Sequence, residues 1–288
     1  MSQTSVVLKS RDFPRLLKEI QDPPEQLYIH GSLPQNTPSL AIVGTRKASR
    51  EGIRIAEEFA EYFAAMGIAI ISGLAMGIDT AAHKGSLNQG GVTVAVLGTN
   101  LEVIYPAANT KLAEKIVRGG GALISEYFSS ELPHKSNFLR RNRIISGLSS
   151  AVLIVEAPQR SGSLATARFA AEQGREVFVV PGPIRDVNYA GSHDLIRDGA
   201  VLVSSPEQLA EDMGWRELRR SLRSADLQED LGIDEELIID ALKKEGMPLR
   251  VDNIIELAKL EPRVASVALT ALVIKGLIVE DTAGYKLK

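Results

Sequence analysis

A chain of 288 residues, 44% of them hydrophobic and with a formal net charge of −3, is long enough for one substantial core and a second small domain. It has no cysteine, which excludes disulfides, zinc–thiolate sites and a thiol nucleophile, and its histidines at 30, 83, 134 and 193 fall at no metal-binding spacing, so neither a metal nor another cofactor is expected. No apolar run reaches the roughly 18 residues of a membrane-spanning helix and residues 1–11 lack a signal core, so the expectation is a cytoplasmic protein with no membrane partner.

Residues 1–39 carry Pro14, Pro23, Pro24, Pro34 and Pro38, which interrupt long helices, and read as an N-terminal extension with one short helix. From Leu40 short apolar runs alternate with helical segments. The runs are 40–43, 68–71, 92–97, 122–124, 151–155, 176–180 and 200–203. Between the first two, residues 52–66 place Ile55, Phe59, Phe63 and Met66 at helical spacing, which makes one right-handed βαβ unit. Residues 40–213 therefore read as an α/β domain, a mostly parallel sheet with helices on both faces.

Residues 214–232, with Arg216, Arg219, Arg220 and Arg223, read as a linker. Residues 233–288 hold three helical patterns, 235–245, 251–259 and 262–275, and two short strands joined by a turn at 281–284; this is a small winged-helix domain. Pro262 suits the first turn of its third helix and Gly276 the end. Residues 226–288 contain 13 acidic and 8 basic side chains, a net −5, which leaves +2 for residues 1–225. With only Arg263 and Lys275 as cations on the third helix, a protein-contact or dimer-modulating role is expected of this domain rather than duplex reading.

Four segments carry chemistry. Gly44-Thr45-Arg46 closes the first strand of the sheet just before a helix, where backbone amides converge and a guanidinium can grip a phosphate. Ser72-Gly73 and Gly77-Ile78-Asp79 follow the second strand; the glycines allow close backbone approach, Ala75 and Met76 pack, and Asp79 serves the start of the next helix and pairs with His83 one turn on. Ser161-Gly162-Ser163 opens another helix after an apolar strand, as an anion site or as a helix start capped by Ser161 or Ser163. Pro181-Gly182-Pro183 and His193 belong to a further loop of this kind.

The fourth segment runs from His134 to Arg143. No acid occurs between Leu132 and Val155, so Lys135, Arg140, Arg141 and Arg143 are not neutralised within the segment. Phe138 stands among them, either stacking on an unpaired base or folded into the core. The four cations cannot all face solvent from one side of a helix, so at least one of Arg141 and Arg143 is expected to be buried against a carbonyl or carboxylate.

Taken together, Gly44-Thr45-Arg46, Ser72-Gly73 with Gly77-Ile78-Asp79 and Ala82-His83, Phe138 with Arg141 to Gly147, Glu156-Ala157 with Arg160 to Ser163, and Val180-Pro181-Gly182 resemble the DNA-processing protein A (DprA/Smf) family over about residues 23–212. The resemblance implies a Rossmann-like domain that binds single-stranded DNA, forms a homodimer and helps load RecA recombinase onto incoming DNA in natural transformation, without being an enzyme. It implies DNA contacts at Arg46, Lys135 and Phe138, with Arg140 and Arg141 beside them and Gly73, Gly162 and Ser163 lining the same pocket; Gly44, Thr45, Ser72 and Arg143 complete the candidate site. Leu139 stands where many members have proline, and 39 residues are too few for the N-terminal helical domain that many members carry.

The competing reading is an enzyme, a nucleoside-monophosphate phosphoribohydrolase of the LOG type. Glycosidic cleavage calls for a positioned carboxylate, and no acid occurs between Glu156 and Glu172. A dinucleotide-dependent oxidoreductase fits less well, since the Gly-x-Gly-x-x-Gly fingerprint and its later acidic ribose contact are not both present after Val43.

Overall fold

The computed structural model describes residues 6–35, 37–128, 134–216, 232–275, 277–281 and 283–287. The chain divides into two compact units, 1–213 and 214–288. Among the described residues no helix is long and apolar enough to cross a membrane.

The first unit is built on a nine-stranded sheet. Five strands, β3 (Ser39–Val43), β4 (Ala69–Ser72), β5 (Thr93–Leu97), β6 (Ala122–Ser125) and β7 (Ala151–Ile154), are buried at every residue, which is why they appear as continuous apolar runs instead of alternating ones. β8 (Glu176–Val179) and the two-residue β9 (Val201–Leu202) follow them in parallel. All seven overlap the runs read from sequence.

Helix α2 (Arg50–Ala65) begins where the Ser49 hydroxyl accepts from the Gly52 amide, and it buries Ala56, Phe59, Ala60 and Phe63. Burying a ring such as Phe63, fully inaccessible here, stabilises the fold by roughly 2–3 kcal/mol. Helices α3 (Ile78–Asn88), α4 (Thr110–Arg118), α7 (Ser163–Glu172), α8 (Ala190–Arg197) and α9 (Pro206–Asp212) complete the connections. Between β6 and β7 lie two short helices, α5 (Lys135–Arg140) and α6 (Asn142–Gly147).

Residues 1–39 do more than the expected lead-in. Besides the short helix α1 (Arg15–Lys18) they supply β1 (Val6–Lys9) and β2 (Gln26–Gly31), and β2 pairs antiparallel with β6, extending the sheet. Phe13, Leu17, Ile20, Leu27 and Ile29 join the main core beside Ile144 and Ile145 of α6.

The second unit has the winged-helix arrangement: α10 (Ile233–Glu245), α11 (Val251–Ala258), α12 (Pro262–Ile274) and a hairpin of β10 (Ile278–Asp281) and β11 (Gly284–Leu287). Ile238, Leu242, Ile254, Leu269, Leu272 and Ile278 form its core. Pro262 occupies the first turn of α12. Most of the expected linker, with Arg219, Arg220 and Arg223, lies outside the described residues, as does Gly276.

Candidate functional site

The sheet order β1-β2-β6-β5-β4-β3-β7-β8-β9 contains one reversal. From β3 the chain builds outward through β4, β5 and β6, then returns to lay β7 against the other side of β3. The loops leaving β3 and β7 therefore diverge, which opens a crevice at the carboxyl edge of the strands. A cleft of about 590 Å³ occupies that place, lined by residues after β3 (Gly44, Thr45, Arg46), after β5 (Thr99, Val103, Tyr105), from α5 and α6 (Lys135, Phe138, Leu139, Arg141, Asn142) and after β7 (Pro158, Arg160, Ser161, Gly162, Ser163).

Gly44 is required by packing: a Cβ there would lie 2.6 Å from Ile78 Cγ1 and 2.9 Å from the Glu156 carbonyl oxygen. The Thr45 amide donates to that same carbonyl at 2.8 Å, which locks the loop after β3 to the end of β7 and points Arg46 outward. Gly162 is open, its nearest neighbour across the cleft being Leu139 Cδ2 at 3.9 Å from where a Cβ would stand. Ser161 and Ser163 turn to each other, hydroxyl to hydroxyl at 2.7 Å, and the Ser163 amide donates to the Ser161 hydroxyl. The N-cap of α7 is Gly162, not a serine, and the Ser161 hydroxyl serves the first turn from one residue further back, while all three residues line the cleft.

Charge in the cleft is one-sided. Arg46, Lys135 and Arg160 are exposed, and among the described residues none of them lies within ion-pairing distance of a carboxylate. The acid in the lining is Asp79, buried and accepting from the amides of Gly73 at 3.1 Å and Ala75 at 3.4 Å. Burial pushes its carboxyl above the usual range, opposed by the Arg141 guanidinium beside it. Arg141 is 4% exposed and donates to the carbonyls of Gly73, at 2.8 Å, and Val96. Burial brings its guanidinium down to about 10, so it stays charged at neutral pH. Arg141 is thus the cationic floor of the cleft, holding the loop after β4 against β5.

Three candidates change role. Arg143, 3% exposed, is bound by Asp22 at 2.9 Å and Glu126 at 2.6 Å, so both arginines of the pair are buried where at least one was expected. Arg140 keeps an exposed side chain but leans on the same two acids, at 3.5 Å from Glu126 and 4.0 Å from Asp22. Two cations of the acid-free run, Arg140 and Arg143, are thus neutralised by carboxylates outside it, while Lys135 is not. Ser72 is fully buried and donates to the Ile42 carbonyl at 2.7 Å, joining β4 to β3 instead of facing the cleft.

Asp79 and His83 do not pair as their spacing suggested: Asp79 turns its Oδ2 to the backbone amides ahead of α3, and His83 turns to β5. His83 Nδ1 lies 2.7 Å from the Thr93 hydroxyl. That hydroxyl already donates to the Ile70 carbonyl, so Nδ1 carries the proton and donates.

Phe138 is half-buried, with the Arg46 guanidinium carbon 5.7 Å from its ring centroid and the Tyr105 ring edge-on at 5.4 Å and 62°. Tyr105 was not among the candidates, although Tyr-Pro just after an apolar strand and before a polar turn marks another loop on the same edge. Arg160 was visible in its loop, but its charge went unused.

Residues 4–214 match the family model for DNA recombination-mediator protein A. Protein Smf of Escherichia coli is 48% identical over 205 residues, 71% of this chain and 55% of that protein. The chain thus spans about half the length of the curated relatives it matches first. The solved structure of DNA processing protein A from Streptococcus pneumoniae superposes with a TM-score of 0.68 at 42% identity, covering 73% of this chain and 74% of that one. The Helicobacter pylori counterpart, whose structure concerns its single-stranded-DNA-binding mode, gives 0.66 at 28% identity over 74% and 96%. By the extent of these matches the chain belongs to the DNA recombination-mediator protein A family.

Proposed function

We propose that this chain binds single-stranded DNA in the cleft between β3 and β7, with little preference among sequences, and that as a cytoplasmic homodimer it helps load RecA onto incoming DNA during natural transformation. The observation that carries the binding is the cluster of exposed, unneutralised Arg46, Lys135 and Arg160 around a recess with an aromatic wall. Cations along a groove grip the phosphates of a flexible strand, and aromatic faces accept any unpaired base. Bases paired inward in a duplex do not reach such a recess. The single-stranded-DNA-binding mode of the Helicobacter pylori relative supports the same ligand. RecA loading and dimerisation rest on the family resemblance.

The phosphoribohydrolase reading has less behind it. Asp79, the acid in the described lining, is committed to two amides and Arg141. Glu156 is fully buried and accepts from Ser49, Asn188 and Tyr189. For the winged-helix unit a protein-contact or dimer-modulating role fits better: Lys275, capping the end of α12, sits 2.6 Å from Glu235, a poor start for duplex reading.

Anisotropy titrations of labelled single- and double-stranded oligonucleotides at several salt concentrations test the binding. Arg46→Ala and Lys135→Ala should each weaken single-strand affinity and flatten the log–log salt slope by about 0.7 per lost phosphate contact. Parent-like affinity and slope in both variants would remove the cleft as the binding site, and duplex preference would remove the proposed ligand. RecA filament formation with and without the full chain, and sedimentation of the free protein, test the other two parts.

A further inference from the structure

We propose that Tyr105, not Phe138, is the main base-stacking platform of this cleft, with Phe138 as its brace. This deepens the single-strand reading and rests on it. Phe138 is hemmed in. Gly98 presses on it so closely that a Cβ there would lie 2.7 Å from Cδ1, 3.0 Å from Cγ and 3.1 Å from Cα. The Arg46 guanidinium sits over its ring, and the Tyr105 ring closes on it at 62°. Little aromatic surface remains for a base unless Arg46 leaves.

Tyr105 is placed differently. It is 52% exposed where Phe138 is half-buried, and together with Phe138 it lines both the main cleft and a smaller cavity of about 60 Å³ that also touches Met76 and Pro106. Met76, which packing alone would have covered, is itself 48% exposed beside it. A half-exposed ring standing between two recesses, braced by a second ring and next to a phosphate-gripping guanidinium, has the parts of a stacking site for one nucleotide: a fixed aromatic surface and a cation for its phosphate.

The test pairs each variant with two probes, an oligothymidylate and an abasic strand of equal length, over several salt concentrations. Tyr105→Ala and Tyr105→Leu should weaken the base-bearing strand about tenfold, the scale of one base–aromatic stack, while leaving the abasic strand and the salt slope at parent values. Tyr105→Phe should keep parent affinity. Phe138→Leu, which retains bulk, should lose less than Tyr105→Ala. Equal loss on both probes, parent-like binding by Tyr105→Leu, or a larger loss in Phe138→Leu would overturn the assignment. Arg46→Ala separates the two levels: it should lose affinity for both strands with a flatter slope, and if it does not, the single-strand reading itself falls.

Discussion

Asp79 and Arg141 face each other beneath the cleft across Gly73, and the room they occupy is the room a side chain would need. A Cβ on Gly73 would lie 2.7 Å from Arg141 Nη2 and 2.7 Å from Asp79 Oδ2. The same glycine gives its amide to Asp79 and its carbonyl to Arg141. Its lack of a side chain is therefore required by the two buried side chains on either side of it. Gly73→Ala should cost about 1–3 kcal/mol of stability in urea unfolding, the scale of overpacking a filled site. A variant as stable as the parent would mean that the pair can shift at little cost.

Removing Asp79 should also cost stability. Asp79→Ala leaves the buried Gly73 amide and the Ala75 amide without their acceptor and the Arg141 guanidinium without a neighbouring carboxyl, for which about 1–3 kcal/mol is expected. Chemical unfolding measures it directly, and a loss below about 1 kcal/mol would show that the Gly73 and Val96 carbonyls suffice for Arg141.

Arg143 and Arg46 should separate stability from binding. Arg143→Ala leaves Glu126, 14% exposed, with the more distant Arg140 and Asp22 largely in solvent, so a loss of about 2–3 kcal/mol is expected, below the full buried-pair value because Arg140 stays beside Glu126 and Asp22 is 66% exposed. The folded variant should still bind oligonucleotides. Arg46→Ala should do the reverse, with parent stability and weakened binding. Thermal unfolding and anisotropy on both proteins check this, and a binding loss in Arg143→Ala beyond its unfolded fraction would return Arg143 to the interface.

His83 makes the stability acid-sensitive. Its Nδ1–H is used by Thr93, while Nε2 is buried with no partner, and burial together with the Arg141 charge brings the imidazole down from 6.5 to about 3. The unfolded chain therefore takes up a proton below pH 6.5 that the folded chain refuses until about pH 3. Stability from this residue is complete above pH 6.5 and falls by up to about 1.4 kcal/mol per unit as the pH drops through that window. His83→Gln should show a shallower decline between pH 6.5 and 4 in urea unfolding; parallel declines would mean that His83 is protonated in the fold.

How much of this is legible in sequence depends on the distance over which each feature is decided. The parallel strands are local, since β3 to β7 are buried on both faces and appear as unbroken apolar runs. The loops bearing Arg46, Lys135 and Gly162 follow, because a strand end before a helix is also a local signal. β2 is not: Gln26–Gly31 buries alternate residues among prolines, and only pairing with β6 makes it a strand. Likewise Arg143 looks free for 11 residues either side until Asp22 and Glu126 fold onto it. Tyr105 gains meaning only when the fold sets it against Phe138.

Glu156 offers a test of the hinge between β7 and the rest of the cleft. Fully buried at the end of that strand, it accepts from the Ser49 amide at 2.9 Å and the Ser49 hydroxyl at the start of α2, and from the Tyr189 hydroxyl at 3.2 Å. Burial, and then the Glu156 charge, push the Tyr189 phenol up to about 12. The unfolded chain loses this proton near pH 10, so the stability that Tyr189 contributes is complete below that value and is lost as the pH rises through 12. In an ultraviolet titration the folded parent should show a tyrosine step near pH 12 that Tyr189→Phe lacks. Tyr285, raised by its own burial and by Glu280, provides an internal control that Glu156 does not touch. Glu156→Gln removes the charge but keeps an acceptor, so the Tyr189 step should move down while staying above 10, because burial remains its largest cause. Oligonucleotide affinity at neutral pH should be unchanged, since the anchor keeps its shape. If Tyr189→Phe removes no step above pH 10 from the titration of the folded protein, Glu156 does not hold this corner as described, and the register of the Arg160 loop against Arg46 loses its support.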